Sequence, residues 1–243
     1  MTPVIPLHRL TIALSKLLAI IGIAVAAMLL GADPLSAHTD LVARARTQAH
    51  GSDYDRAIAD LTKAIEQDPS DKAAYELRGI CYVCKKEKNY DLARADFDAI
   101  IRLDPQNGRA YQHRGSVYYA QHQYANAKAD FARAIALNPE DPRAYNSMAW
   151  LMATSPDSNY RDGVKAVELA RKACEFSSWR LPSMIDTLAA AYAEDGKFND
   201  AVAAENQALE KWSHWRNVDA SVKAARERIA LYEAGKPYHW IRE

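Results

Sequence analysis

The chain has 243 residues, 49% of them hydrophobic, with Lys+Arg and Asp+Glu balanced at 31 each. Such a composition is globular and not disordered, and the charge balance argues against nucleic acid or an anionic membrane surface as partner, since both need a basic stripe. Only 9 Gly and 10 Pro argue against a loop-rich all-β protein, and three cysteines, an odd number, cannot form a complete disulfide framework.

Residues 1–37 differ from the rest. His8, Arg9 and Lys16 precede an uncharged run from Leu17 to Leu30, and Gly31, Ala32, Asp33, Pro34, Leu35, Ser36 and Ala37 follow it. A positive start, a short apolar core and a small-residue exit form the pattern of a secretory signal peptide, with cleavage expected after Ala37. The run of 14 is short beside the roughly 20 residues that a spanning helix needs. A retained anchor over residues 10–30, with Lys16 reaching to the headgroups, is the alternative. The first reading makes the remainder periplasmic or secreted; the second makes it anchored in the inner membrane and facing the periplasm. No cysteine follows the apolar run, so lipoprotein attachment is not expected.

From residue 38 onward the chain repeats itself. Tyr54-Asp-Arg-Ala57, Tyr90-Asp-Leu-Ala93 and Tyr124-Ala-Asn-Ala127 recur in phase, each followed by Leu61, Phe97 or Phe131 and closed by Asp68-Pro69, Asp104-Pro105 or Asn138-Pro139. The prolines stand 36 and then 34 residues apart. The other half of the unit also recurs: Ala74-Tyr75 leads to Gly79 and Tyr82, Ala110-Tyr111 to Gly115 and Tyr118, and Ala144-Tyr145 to Ala149 and Met152. Residue types and punctuation predict paired helices, because the residue before Pro avoids helical geometry and Pro itself suits a helix start. Gly79, Gly115, Ala149 and Ala189 are expected where the two helices of a unit come closest, with Ala57, Ala93, Ala127 and Ala201 as small residues of the second helix. The second unit carries two extra residues around Lys85–Asn89, and the fourth about five in the stretch 155–163. In the last unit Glu205 stands where a large apolar residue is usual.

On these residues the chain resembles the tetratricopeptide-repeat (TPR) family over residues 39–212, with unit 107–140 matching at every position of the pattern. The stretch from Ala149 to Tyr238 is also similar to the terminal part of bacterial TPR proteins. The resemblance implies an all-α fold: a right-handed α-solenoid of about five helix hairpins (38–212) with a C-terminal capping helix and tail (213–243). Val218, Val222, Ala225, Ile229 and Tyr232 form the apolar stripe of that last helix. Its charges Lys223, Arg226, Glu227 and Arg228 suit the polar outer face that the end of an array needs. The resemblance attaches no reaction to the fold.

In such arrays the first helices line a concave groove. The matching inner positions are Glu76, Ile80 and Val83; Gln112, Ser116 and Tyr119; Asn146, Trp150 and Ala153; and Asp186, Ala190 and Ala193. Arg109, His113 and Arg143 lie near the same face. A peptide or partner helix is expected there, anchored on Tyr119 and Trp150, because Tyr, Trp and Arg are common interface hot spots; the competing expectation packs Trp150 under the loop 155–163. Glu76, Leu77 and Ile80 stand where some family members hold a chaperone carboxylate with Lys and Asn, so a chaperone clamp is not expected.

Residues with chemical potential remain isolated. Cys81-Tyr-Val-Cys84 is a CxxC, but a redox pair needs a helix N-terminus, and this one follows Gly79 inside a helix. Zinc would need a second ligand pair, and haem attachment would need His where Lys85 stands. His113, His122, His214 and His239 have no metal-ligand spacing. The expectation is a non-catalytic adaptor or scaffold of the cell envelope with a protein or peptide partner, no nucleic acid, no cofactor and no metal. The alternatives are a membrane-anchored assembly factor and a thiol-redox protein using Cys81 and Cys84.

Overall fold

A computed structural model describes residues 34–215 and 218–239, with side chains from Ala37 onward. Among the described residues there are eleven α-helices, one 3-10 turn and no strand. The apolar run and most of the expected signal or anchor lie outside them. Among them no helix is long and apolar enough to cross a membrane. The chain divides into two compact units, one up to Ala99 and one from Ile100.

The first unit contains α1 (Pro34–His50), α2 (Tyr54–Gln67), α3 (Lys72–Cys84) and the start of α4 (Tyr90–Leu103). The first helix runs through the Ala37–His38 bond. Capping sets the boundaries. Asp71 accepts from the Ala73 and Ala74 amides at 2.8 and 3.0 Å, and Asp68 turns its carboxylate onto the Ser70 amide at 2.9 Å. Each side chain takes backbone donors that the helix ends or turns leave over. Leu41, Ala45, Ala57, Leu61, Ala64, Ile65, Ala74 and Cys81 form the core. A Cβ added to Gly79 would sit 2.8 Å from Phe97 Cζ, so the predicted close approach is real.

An ion pair that the sequence reading did not anticipate crosses this hairpin and its neighbours. Arg44 bonds Asp60 through two contacts at 2.6 and 2.7 Å; Arg78 bonds Asp96 at 2.9 and 2.6 Å. In the second unit Arg114 bonds Asp130 at 2.8 Å through both nitrogens. Each arginine precedes the small residue of the first helix, and each aspartate precedes the large apolar residue of the second. The fork geometry makes these charge-assisted bonds specific. Arg44's hydrogen bond holds the Asp60 carboxyl below its usual range, whereas burial raises that of Asp96 in spite of Arg78. The difference follows desolvation: Arg44 is largely exposed and Arg78 is not.

The second unit holds α5 (Gly108–Ala120), α6 (Tyr124–Leu137), α7 (Pro142–Thr154), α8 (Gly163–Phe176), α9 (Pro182–Glu194), α10 (Phe198–Trp212) and α11 (Asp219–Glu233). Gly115 meets Phe131 as Gly79 meets Phe97, with a projected Cβ 2.7 Å from Cε1. The central element is α9, buried at Pro182 and from Met184 to Ala193 and packed against α7, α8 and α10. The longer connection before α8 is pinned rather than loose. Arg161 donates to the Ser155 carbonyl at 2.8 Å and to Glu194 at 2.9 Å, and a Cβ on Gly163 would strike the Asp195 amide nitrogen at 2.5 Å. Gly235, at φ +66°, follows α11 in the left-handed region that favours glycine.

Arg228 belongs not to a polar outer face of α11 but to its buried face, with Ala225 and Tyr232, at 7% exposure. The reason is Glu205. It occupies the repeat position of Leu61, Phe97 and Phe131 and is fully buried, and a buried acid needs a hydrogen-bond donor, which the last helix supplies. Arg228 donates to Glu205 at 3.1 Å and also to Asp186.

Candidate functional site

The inner positions predicted for α5 and α7 converge. Ser116, Tyr119, Asn146 and Trp150, together with Phe131 and Ser147, line a cavity of about 160 Å³. Their spacing explains it: residues three and four apart on a helix share a face, and α5 and α7 pack side by side. Gln112 braces the wall, donating to Ser147 Oγ at 2.9 Å and to Ser116 Oγ at 3.2 Å. Thr154 donates to the Trp150 carbonyl at 2.8 Å, so the Tyr119 hydroxyl, 2.9 Å from Thr154 Oγ1, is the donor of that pair. Burial drives the Tyr119 hydroxyl far above its ordinary range, and it stays protonated. Asn146 lines this cavity, and its Oδ1 is buried with no hydrogen-bond partner from the protein.

Toward the N-terminal ends of the same two helices the face turns basic. Arg109 is exposed, with its Nε 3.4 Å from His113 Nε2. Arg143 grips Asp141 at 2.9 and 3.1 Å. Burial alone would raise the Asp141 carboxyl; Arg143's side-chain and backbone N–H groups, with Arg109's charge, bring it below its usual value. Seven residues separate Arg109 from Ser116 and Arg143 from Trp150, about 10 Å along a helix. Cavity and basic margin therefore fall within the reach of one short extended peptide.

The other inner positions differ. In the first unit Glu76, Ile80 and Val83 are half-buried along α3. In the second, Ala153, Ala190 and Ala193 are buried in the core, and Asp186 bonds Arg228. Trp150 packs against the C-terminal tail: its ring centroid is 6.1 Å from that of Tyr238, and the Arg228 guanidinium lies 6.0 Å from it. Beneath these rings Glu205 Oε2, Arg228 Nε and the Tyr232 hydroxyl are buried without partners. Burial first, then the Asp186 charge, push the Glu205 carboxyl well above the usual carboxylate range despite Arg228. Sequence reasoning noted the odd Glu205 but not its answering arginine. The signal was available: an acid at an apolar position calls for a base somewhere.

The surroundings of the thiols do not favour a thiolate. Cys81 is buried inside α3 and Cys84 is its exposed last residue. Burial pushes the Cys81 thiol up to about 11 and raises that of Cys84, the opposite of what an attacking thiolate needs. His122 lies in the turn after α5 at φ +61°, with Nδ1 2.7 Å from the Tyr124 hydroxyl. Among the described residues no cluster of His, Cys, Asp and Glu could hold a metal ion.

Comparison with known proteins follows the same lines. Residues 42–110 and 108–141 match two tetratricopeptide-repeat family models. No curated protein gives a significant match. Among solved structures, a thermophilic TPR protein of Thermus thermophilus superposes with a TM-score of 0.65 at 16% identity, covering 78% of this chain and 99% of that one. PilF of Pseudomonas aeruginosa gives 0.61 at 18% identity over 83% and 90%. YrrB, described as a TPR protein with an unusual peptide-binding site, gives 0.50 at 21% over 77% and 90%. Identities this low speak for the fold alone, and the fold extends past the residues that the family models match. Residues 42–141 therefore carry tetratricopeptide repeats, and the helical fold beyond them is similar to that of solved tetratricopeptide-repeat proteins.

Proposed function

We propose that the protein is a non-catalytic adaptor that binds an extended segment of another polypeptide along the inner face of α5 and α7. The observation that carries this reading is the cavity between Ser116, Tyr119, Asn146 and Trp150, where the Asn146 carbonyl oxygen is buried without a partner. A peptide N–H supplies what that oxygen lacks, and an apolar side chain suits the space beside Trp150.

The test is selection from a displayed peptide library, followed by affinity measurement on purified full-length variants. Asn146→Ala removes the acceptor and Ser116→Phe fills the cavity. Each is expected to weaken the selected peptides at least tenfold, with unchanged helicity by circular dichroism. Peptides that bind both variants as tightly as the wild type would remove the groove from the account.

Residence in the cell envelope belongs to the same proposal and rests on the pattern of residues 1–37, with an anchored assembly factor as its variant. Cell fractionation with N-terminal sequencing separates the two: a mature chain starting at His38 supports the soluble form, and an intact N-terminus in the membrane fraction supports the anchored one. A chain intact in the cytosol defeats both.

A further inference from the structure

The last described residues behave as a strap. After α11, Gly235 and Lys236 donate to the Tyr232 and Leu231 carbonyls at 3.0 and 2.9 Å, and residues 236–239 continue without regular structure. Pro237 fixes one backbone angle of that stretch. The Tyr238 ring, half-buried, rests against Trp150 with the Arg228 guanidinium 5.6 Å from its centroid. One residue on, His239 Nε2 lies 2.8 Å from Glu194 Oε2, whose other oxygen accepts from Arg161 at 2.9 Å. Trp150 and Glu194 belong to α7 and α9, so the strap crosses from one first helix to the next. Trp150 also lines the cavity beside Tyr119.

These are the contacts of a peptide ligand made by the chain itself: a backbone without regular structure, an aromatic ring set against an indole and a guanidinium, and a base set against a carboxylate. We propose that the tail residues Tyr238 and His239 are the resident occupant of the inner face between Trp150 and Glu194, and that the external partner is an extended polypeptide segment with an aromatic residue followed by a basic one, which competes with the tail. This rests on the groove reading above. A resident segment covers its site at an effective concentration in the millimolar range, so it lowers the apparent affinity for a competitor by the fraction of time that the site stands open. The partner must therefore outmatch the tail, and weakening the tail must strengthen the partner.

The experiment uses the full chain and a fluorescent peptide of sequence Ala-Gly-Lys-Pro-Tyr-His-Trp-Ile-Arg-Glu, the chain's own residues 234–243. Tyr238→Ala with His239→Ala, in one protein, is expected to bind the peptide about tenfold more tightly than the wild type. A peptide with Ala in place of its Tyr and His is expected to bind neither. Equal or weaker binding to the double variant, at wild-type helicity, overturns the proposal. If that variant loses helicity, Pro237→Gly takes its place, since it loosens the strap and keeps both side chains; unchanged affinity again overturns the proposal. Library-selected peptides that bind wild type and variant alike, with no binding of the tail peptide, defeat this inference and leave the groove standing. No binding by any peptide defeats both. A wild-type dimer that dissociates in the double variant would assign the face to a second copy's tail and overturn the partner assignment.

Discussion

Replacing Glu205 with glutamine is expected to remove a pH dependence from the stability of the fold. The side chain is fully buried, one oxygen lacks a partner, and one arginine faces two acids. Burial and the Asp186 charge raise its pKa in the fold, while the unfolded carboxyl titrates near the ordinary 4.5. Above that pH the unfolded chain releases a proton that the folded chain keeps. The folded state then binds more protons, and stability falls as pH rises toward the raised value. The slope for one group is about 1.4 kcal/mol per pH unit, so raising the pH from 6 to 8 takes away up to about 3 kcal/mol. Glutamine has no proton to lose and keeps a carbonyl oxygen for Arg228. Urea unfolding followed by circular dichroism at pH 6, 7 and 8 gives the slope for both proteins, and their difference cancels other titrating groups. The expected result is a Glu205→Gln protein about as stable as the wild type at pH 6 and more stable at pH 8. Parallel slopes, or a loss of several kcal/mol at pH 6, would refute the neutral-acid account and show that the carboxylate charge itself holds Arg228.

Four further outcomes are expected. Arg228→Met strands Asp186 without its cation and should cost about 3–5 kcal/mol in urea unfolding. Arg114→Leu does the same to the mostly buried Asp130, whereas Arg114→Leu with Asp130→Leu should recover most of the loss; an equal loss in the double variant would show that the pair is not the cause. Gly163→Ala should cost about 2 kcal/mol despite alanine's better helix propensity, because the new Cβ meets the fixed backbone of Asp195; a rise in melting temperature would contradict that contact. In thiol titration at pH 7.5 Cys84 should react first. Burial holds the Cys81 thiol up at about 11 and that of Cys174 at about 12, so both should wait for denaturant, and fast labelling of either would reopen the thiol-redox alternative.

Most of the hairpin architecture was legible in the sequence because it rests on local, periodic causes. Gly79 and Gly115 announce their contacts with Phe97 and Phe131 by recurring at a fixed distance from them. The capping aspartates sit beside the helices that they start. The Arg–Asp pairs Arg44–Asp60, Arg78–Asp96 and Arg114–Asp130 were present in that same period, yet an arginine in a helix gives no sign of its partner until a second helix lies beside it. Convergence of Ser116, Tyr119, Asn146 and Trp150 also followed from helical spacing, but the unpartnered Asn146 oxygen emerged only from packing.

Sequence alone therefore settled the helices, their pairing and the small residues between them, since each depends on neighbours within one repeat length. Tertiary structure decided the rest: Arg228 turned inward to Asp186 and Glu205, Trp150 met Tyr238, and His239 reached Glu194. Those partners lie outside the repeat register, and a period says nothing about residues that break it. Where one buried acid had to be answered, the last helix swung its arginine into the core, and the tail that followed came to rest on the inner face.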